Sequence, residues 1–157
     1  MKRVITIFTL LVSSIVFMNV GAQQMSPEDQ AVATAETRQA VFKLLAFHMG
    51  PITAMARGSM EFDAALAQRN AQRIATLGSI IPDVFMRDTR EFEVETLALD
   101  KIWDNKADFE QHAAELVNQA SAFAEAAGSG DRATTLGALR PLGSACGSCH
   151  DNYRRDP

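Results

Sequence analysis

The two cysteines of this 157-residue chain lie close together near its C-terminus and are followed at once by a histidine. The segment reads Cys146-Gly147-Ser148-Cys149-His150. On a helix, residues at i, i+3 and i+4 share one face, so both sulfurs and the imidazole can reach one flat group from the same side. Two thiols that react with vinyl groups, beside a histidine that binds iron, form the C-x-x-C-H pattern of covalent haem attachment. The motif predicts one haem c, bound through Cys146 and Cys149, with His150 as an axial iron ligand.

Two other uses of paired cysteines fit the sequence less well. A thioredoxin-like redox pair uses C-x-x-C at a helix start in a βαβ unit, whereas this pair lies late in a chain with helical patterning. A zinc site would need a fourth ligand, for which His48 and His112 are the remaining histidine candidates. A disulfide within the motif would close only a very short loop and constrain little of the chain. The sequence therefore favours haem attachment.

Four helical segments are predicted to position the motif. The first begins at Ser26 with a hydroxyl cap, a proline and two acidic residues, and runs to about residue 57 with a kink at its internal proline. The second covers about 63–81 and stops before a proline. The fourth is capped by Asp131, bends near its proline and glycines, and continues through the motif to about residue 155. The third follows Asp104 and has apolar residues spaced 4-3-4-3-4, the seam of a helical bundle: Phe109, Ala113, Leu116, Ala120, Phe123 and Ala127.

These segments predict an all-α fold, an antiparallel four-helix bundle with haem attached near the C-terminus. Short links join the first helix to the second and the third to the fourth, which makes each pair antiparallel neighbours. Residues 82–103 form an unusually long connection for a compact domain. Because this connection contains several large apolar side chains, we expect it to pack against the bundle.

The N-terminus has the three-part layout of a secretory signal peptide. Lys2 and Arg3 are followed by an uncharged apolar run and by small residues up to Ala22. A membrane anchor is the alternative, but the run of about 17 residues is at the lower limit for spanning a bilayer. We therefore predict that residues 1–22 are cleaved and that residues 23–157 form one domain in the periplasm, without membrane contact.

The charge of the predicted mature chain excludes some classes of partner. Without the two basic residues of the signal peptide, the formal net charge of −4 becomes −6. An acidic surface without basic clusters disfavours both nucleic acid and anionic membranes.

The arrangement of a C-x-x-C-H motif on the last helix of a four-helix chain resembles that of the class II cytochromes c, most closely the cytochrome c′ family. That family is a well-known example of the four-helix bundle. The resemblance includes the ending after the motif, where an acid, an aromatic residue and an arginine follow the histidine. It also includes residues 38–50, which are similar to the haem-facing part of the family's first helix. Pro51 and Pro141 depart from the family pattern and affect helix geometry rather than the haem motif.

The resemblance implies roles for four residues outside the motif. Phe42 matches the side chain that covers the iron opposite the histidine, and because phenylalanine cannot bind iron, a five-coordinate, high-spin haem is implied. Leu45 would line the same pocket. Arg38 would pair with a haem propionate through charge-assisted hydrogen bonds, and Arg154 would flank the histidine from outside the iron's coordination shell. From spacing alone, Phe42 is equally compatible with ordinary bundle core. For Arg38 the less favoured alternative is an arginine on a solvated helix face.

The resemblance further implies a protein that carries electrons or binds nitric oxide or carbon monoxide, and that is not an enzyme. Its implied partners are diatomic gases, redox proteins and a second copy of the chain packed through the first helix. One alternative is a low-spin electron carrier with Met49 as sixth ligand. Another is a peroxidase, which would need a distal acid–base residue such as histidine. His48 lies about 240° around the helix from Phe42, which disfavours that alternative.

Overall fold

The structure is a computed structural model that describes residues 25–156 of the chain. The predicted signal peptide lies outside these residues. The described part contains seven helices: α1 (Pro27–Ala56), α2 (Ala64–Ser79), α3 (Ile81–Val84), α4 (Lys101–Asp104), α5 (Lys106–Gly128), α6 (Arg132–Gly137) and α7 (Leu139–Tyr153). Within this range there is no β-strand, and none of the helices is long and apolar enough to cross a membrane. The predicted all-α bundle is confirmed, with α1, α2, α5 and the α6–α7 pair as its four members.

The first helix begins where the sequence predicted. The Ser26 hydroxyl accepts a hydrogen bond from the backbone N–H of Asp29 at 3.0 Å, which satisfies one of the free donors of the first turn. The helix then continues unbroken past Pro51 to Ala56. One face of α1 is therefore available over its whole length to line a site.

The tightest part of the bundle is the packing of α2 against α5. Small buried residues form both sides of this interface, and all six predicted seam positions of α5 are buried. A Cβ atom added at Gly78 would lie only 3.1 Å from Cγ2 of Val117, closer than nearly all real contacts. A larger residue at this position would therefore require the Val117 side chain to shift by a few tenths of an ångström. The small residues of the interface include Ala67, Ala71, Gly78, Ala113, Ala120 and Ala124.

The prediction of a single fourth helix is corrected in detail. The chain forms α6 and then α7, with a break at Ala138. Pro141 has no N–H to donate to the carbonyl of Gly137, so the bend predicted from these residues occurs where that hydrogen bond is missing. The helix ends at Tyr153 because Arg154 is extended and forms an antiparallel bridge with Ala98.

The connection after α2 also differs from the prediction. Pro82 was expected to stop the second helix, but α2 ends at Ser79 and Pro82 lies in the first turn of α3, where its fixed φ favours a helix start. The remainder packs against the bundle as predicted. Phe85 and Thr89 are each 2% exposed, and Ile102 is 1% exposed.

Candidate functional site

The predicted haem-binding residues lie together on one face of α7. Leu142, Ala145 and Tyr153 of this helix are buried, and they hold it against the bundle. Cys146 and Cys149 lie beside them, half-buried against the core, and both are free thiols. His150 is also half-buried. We refer to Cys146, Cys149 and His150 as the α7 wall.

The surroundings of the α7 wall keep its groups uncharged near neutral pH. Burial raises the pKa of the Cys146 thiol, and it raises that of Cys149 to about 11, with smaller contributions from the charges of Cys146 and Asp108. Burial lowers the pKa of His150, and the positive charge of Arg154 lowers it further. A neutral imidazole has a lone pair available for a metal. His150 therefore has the protonation state that an iron ligand requires.

A second set of predicted residues lies along one face of α1. Arg38, Phe42, Leu45 and Met49 are spaced by four, three and four residues, which places them on one stripe. Phe42, Leu45 and Met49 are half-buried and pack against the same core as the α7 cysteines. We call these four residues the α1 wall. Within residues 25–156, α1 and α7 make no extended contact with each other, so the two walls border one core without closing on each other.

A row of aromatic rings connects the two walls. The ring of Phe42 meets that of Phe85 edge-on at a centroid distance of 6.2 Å. Phe85 lies 4.9 Å from Phe109, which lies 5.4 Å from Tyr153 on α7. The Tyr153 hydroxyl donates a hydrogen bond to the carboxylate of Asp108. The sequence predicted only that the connection containing Phe85 packs against the bundle, because no local pattern shows which helix a connection contacts.

Arg38 is 3% exposed and donates to the last residue of α3 and to the segment that follows it. Its Nε donates to the carbonyl of Val84 at 2.9 Å, its Nη1 to the hydroxyl of Thr89 at 2.9 Å, and its Nη2 to the carbonyl of Arg87. Its guanidinium carbon lies 4.6 Å from the ring centroid of Phe85. Burial lowers the pKa of Arg38, although guanidinium stays charged in proteins. Three of its five N–H donors are thus used within the protein, and its pairing with a propionate stays a prediction.

Arg154 lies just past the end of α7 with its side chain exposed. Its positive charge lowers the pKa of the His150 imidazole. This position is compatible with the predicted flanking role.

The remaining histidines lie away from the α1 wall. His48 is 9% exposed, and its Nδ1 is 2.8 Å from Oδ1 of Asn70 between α1 and α2. His112 lies between α5 and α7, with Nε2 3.6 Å from Asp108 and Nδ1 3.4 Å from the Ser148 hydroxyl. Neither imidazole is on the face that a peroxidase would need.

The residues of both walls fit a haem. The α7 wall supplies two thiols and a neutral imidazole, and the α1 wall supplies apolar side chains that the protein covers only in part. Among the described residues, the indole Nε1 of Trp103 is buried without a hydrogen-bond partner. The Arg38 guanidinium carbon lies 5.1 Å from the Trp103 ring. A buried donor beside an arginine is suited to a carboxylate such as a haem propionate.

Comparisons with known proteins agree with this chemistry. Residues 33–154 match the family model described as Cytochrome C′. A cytochrome c-554 from Cereibacter sphaeroides is 36% identical over 122 residues, covering 76% of this chain and 79% of that protein. A cytochrome c′ from the same organism is 34% identical over 121 residues, covering 76% of this chain and 80% of that protein.

Solved structures show the same fold. Cytochrome c prime from Shewanella frigidimarina superposes with a TM-score of 0.72 at 34% identity, covering 85% of this chain and all of that one. A nitric oxide complex of a variant of cytochrome c prime from Alcaligenes xylosoxidans superposes with a TM-score of 0.70 at 27% identity, again covering 85% of this chain and all of that one.

Proposed function

This chain belongs to the cytochrome c′ family, and we propose that it is a periplasmic protein whose iron is five-coordinate and high-spin, open to nitric oxide or carbon monoxide. As a c-type cytochrome it has haem c attached through Cys146 and Cys149. When bound, this group supplies an iron that can change oxidation state and take up a diatomic ligand. The proposed roles are gas binding, electron transfer or both, without an enzymatic reaction.

The observation that carries the proposal is the composition of the α1 wall. Phe42 cannot bind iron, and it is held only in part, by the core and by the edge of the Phe85 ring. A bulky side chain in this position excludes water and solvated anions but can be displaced by a small uncharged ligand. Phe42 and Leu45 provide no hydrogen-bond donor for bound dioxygen, which favours nitric oxide and carbon monoxide. A solved relative in complex with nitric oxide supports this choice.

On the opposite side, we propose that neutral His150 holds the iron and that Arg154 lies beside it. The charge of Arg154 lowers the pKa of the imidazole and so disfavours its protonation, which would compete with metal binding. Arg38 and Trp103 are proposed to receive a propionate.

Met49 is the residue on which the low-spin alternative depends. It lies seven residues beyond Phe42, about two helical turns along the same wall. The test is the absorption spectrum of the purified ferrous protein and of its Met49→Leu variant, each before and after carbon monoxide is added. We expect broad high-spin bands in both proteins and a shift with carbon monoxide. Sharp, split low-spin bands in the unmodified protein that disappear in Met49→Leu would refute the five-coordinate proposal.

Export and self-association complete the proposal. Fractionation of the source bacterium should recover the holoprotein in the periplasm, with residue 23 as its N-terminus. Recovery of the protein with its first 22 residues intact in the membrane fraction would contradict this.

For the proposed homodimer, two apolar side chains on α1 are available: Leu44 is 48% exposed and Phe47 is 69% exposed. Sedimentation should show a dimer that Phe47→Glu converts to a monomer, and a monomeric unmodified protein would contradict it.

A further inference from the structure

The connection between α3 and α4 is attached to α1 through side chains of that helix. We call residues 84–99 the strap. Arg38 donates hydrogen bonds to three of its residues, and the buried Thr89 hydroxyl is the one side-chain acceptor among them. The Nε2 of Gln39 also donates to the carbonyl of Glu95 at 2.8 Å. The first attachment of the strap is therefore to the α1 wall and the residue beside it.

The other end of the strap is attached to the chain just after the haem-binding motif. The backbone N–H of Leu99 donates to the carbonyl of Tyr153 at 3.0 Å, and that of Arg155 donates to the carbonyl of Leu97 at 2.8 Å. Ala98 and Arg154 form an antiparallel bridge between these two bonds. This attachment uses backbone groups, so it depends on the position of the strap rather than on particular side chains.

Each attachment lies about one helical turn along its helix from a residue of the proposed iron site. Arg38 precedes Phe42 by four residues, and Tyr153 follows His150 by three, each about one helical turn. Since α1 and α7 make no extended contact within the described residues, the strap is a direct connection between the middle of α1 and the C-terminal end of α7. Its exposed contacts are ion pairs between Arg90 and the carboxylates at positions 88 and 104, and two hydrogen bonds from Arg87 to Gln30 and Pro27 of α1. Exposed ion pairs of this kind contribute little.

We propose that the strap sets the separation of the α1 and α7 walls, and that Arg38 and Thr89 are the positioning residues that hold it. The identity of the group between the walls rests on the proposed function, whereas the connection of the two walls through the strap does not. Loss of the bond between the Arg38 guanidinium and the Thr89 hydroxyl loosens the strap at α1. The loosening then reaches the other end, at Leu99 and Arg155. The separation of Phe42 from His150, and with it the rate of gas entry, changes as a consequence.

The experiment compares three variants of the holoprotein by amide hydrogen exchange. Thr89→Val removes the acceptor at nearly constant volume, and Thr89→Ser retains a hydroxyl. Thr135→Val is the matched control, because Thr135 is a fully buried threonine whose hydroxyl donates to the carbonyl of Asp131 at 2.7 Å, in α6 and away from the strap. In Thr89→Val we expect exchange at the amides of Leu99 and Arg155 to be about tenfold faster, the change that loss of one hydrogen bond produces in a local opening equilibrium. Thr89→Ser and Thr135→Val should leave these two amides near the rates of the unmodified protein.

Three results would overturn the inference. Faster exchange confined to residues around 89 would show that the strap does not transmit the change. If Thr135→Val accelerated exchange at Leu99 and Arg155 as much as Thr89→Val does, the change would reflect a general loss of stability. The same samples are then mixed with carbon monoxide, and an unchanged association rate in Thr89→Val despite faster exchange at Arg155 would refute the control of wall separation. A low-spin spectrum of the unmodified protein would instead defeat the proposed function, while the exchange comparison would still decide whether the strap connects the walls.

Discussion

Replacing Phe42 with alanine tests the proposed site most directly. Phe42 is half-buried against the core, and its ring meets Phe85 edge-on at 6.2 Å. Truncating a fully buried phenylalanine costs about 3–5 kcal/mol, so for a half-buried ring we expect the free energy of unfolding to fall by about 2 kcal/mol. This loss is small compared with the stability of a typical domain, about 5–15 kcal/mol. Phe42→Ala should therefore fold and retain its haem.

The effect on gas binding has the opposite sign. In the proposed site an incoming diatomic ligand has to displace the Phe42 ring, and forcing a packed side chain aside costs about 1–3 kcal/mol. Each 1.4 kcal/mol corresponds to a factor of ten, so without the ring carbon monoxide should bind about tenfold more tightly or better. Because the obstacle is met on entry, most of the gain should be in the association rate. Rapid mixing of the ferrous protein with carbon monoxide measures that rate, and an equilibrium titration gives the affinity.

Phe62→Ala is the matched control for this experiment. Phe62 is also half-buried against the core. It lies beyond the C-terminal end of α1, whereas Phe42 lies 14 residues before that end. The control should lose comparable stability and bind carbon monoxide like the unmodified protein. If Phe42→Ala also left the affinity and the association rate unchanged, Phe42 would be ordinary bundle core and the distal site would lie elsewhere.

Three further outcomes are expected. Changing both motif cysteines to alanine should abolish covalent haem retention, and haem that still resists acid–organic extraction would refute the attachment. Asn70→Ala should lower the free energy of unfolding by about 1–3 kcal/mol in denaturant titration, because it leaves the buried Nδ1 of His48 unpaired; a change below roughly 0.5 kcal/mol, the size of an ordinary surface substitution, would contradict this. Burial, together with the hydrogen bond to Asp108, raises the pKa of Tyr153 to about 12. Its neutral form therefore adds stability that is complete below the ordinary phenol pKa of about 10 and is lost as pH rises through about 12. Unmodified protein should lose stability more steeply over this range than Tyr153→Phe, and parallel curves would contradict the assignment.

The features with a local cause could be predicted from the sequence. The cap at Ser26, the seam of α5 and the bend before the motif helix each depend on residues within a few positions of one another. The motif itself is local, since i, i+3 and i+4 spacing places its three reactive groups on one face whatever the rest of the chain does. The all-α fold was also predictable, because the helical spacing of apolar residues is a local pattern.

The features with a non-local cause could not be predicted. Arg38 was expected to need an anion, but most of its donors are used by residues 46 to 51 positions away. No periodicity links a helix residue to the carbonyls of a distant connection, so only the folded chain shows this. The extended end of α7 has a similar origin, because the backbone of Arg155 bonds to Leu97 rather than continuing the helix.

The close approach of α2 and α5 has a consequence for how this sequence can drift over evolutionary time. At Gly78 an added Cβ would already crowd the Val117 side chain, so a larger residue there is accommodated only if that side chain moves. The half-exposed residues of the α1 wall are not constrained in this way, since a change at Phe42 or Leu45 costs only part of a buried side chain. On the proposed assignment of the α1 wall, substitutions at Phe42 or Leu45 alter the ligand preference at a small cost in stability, because these residues lie outside the α2–α5 interface.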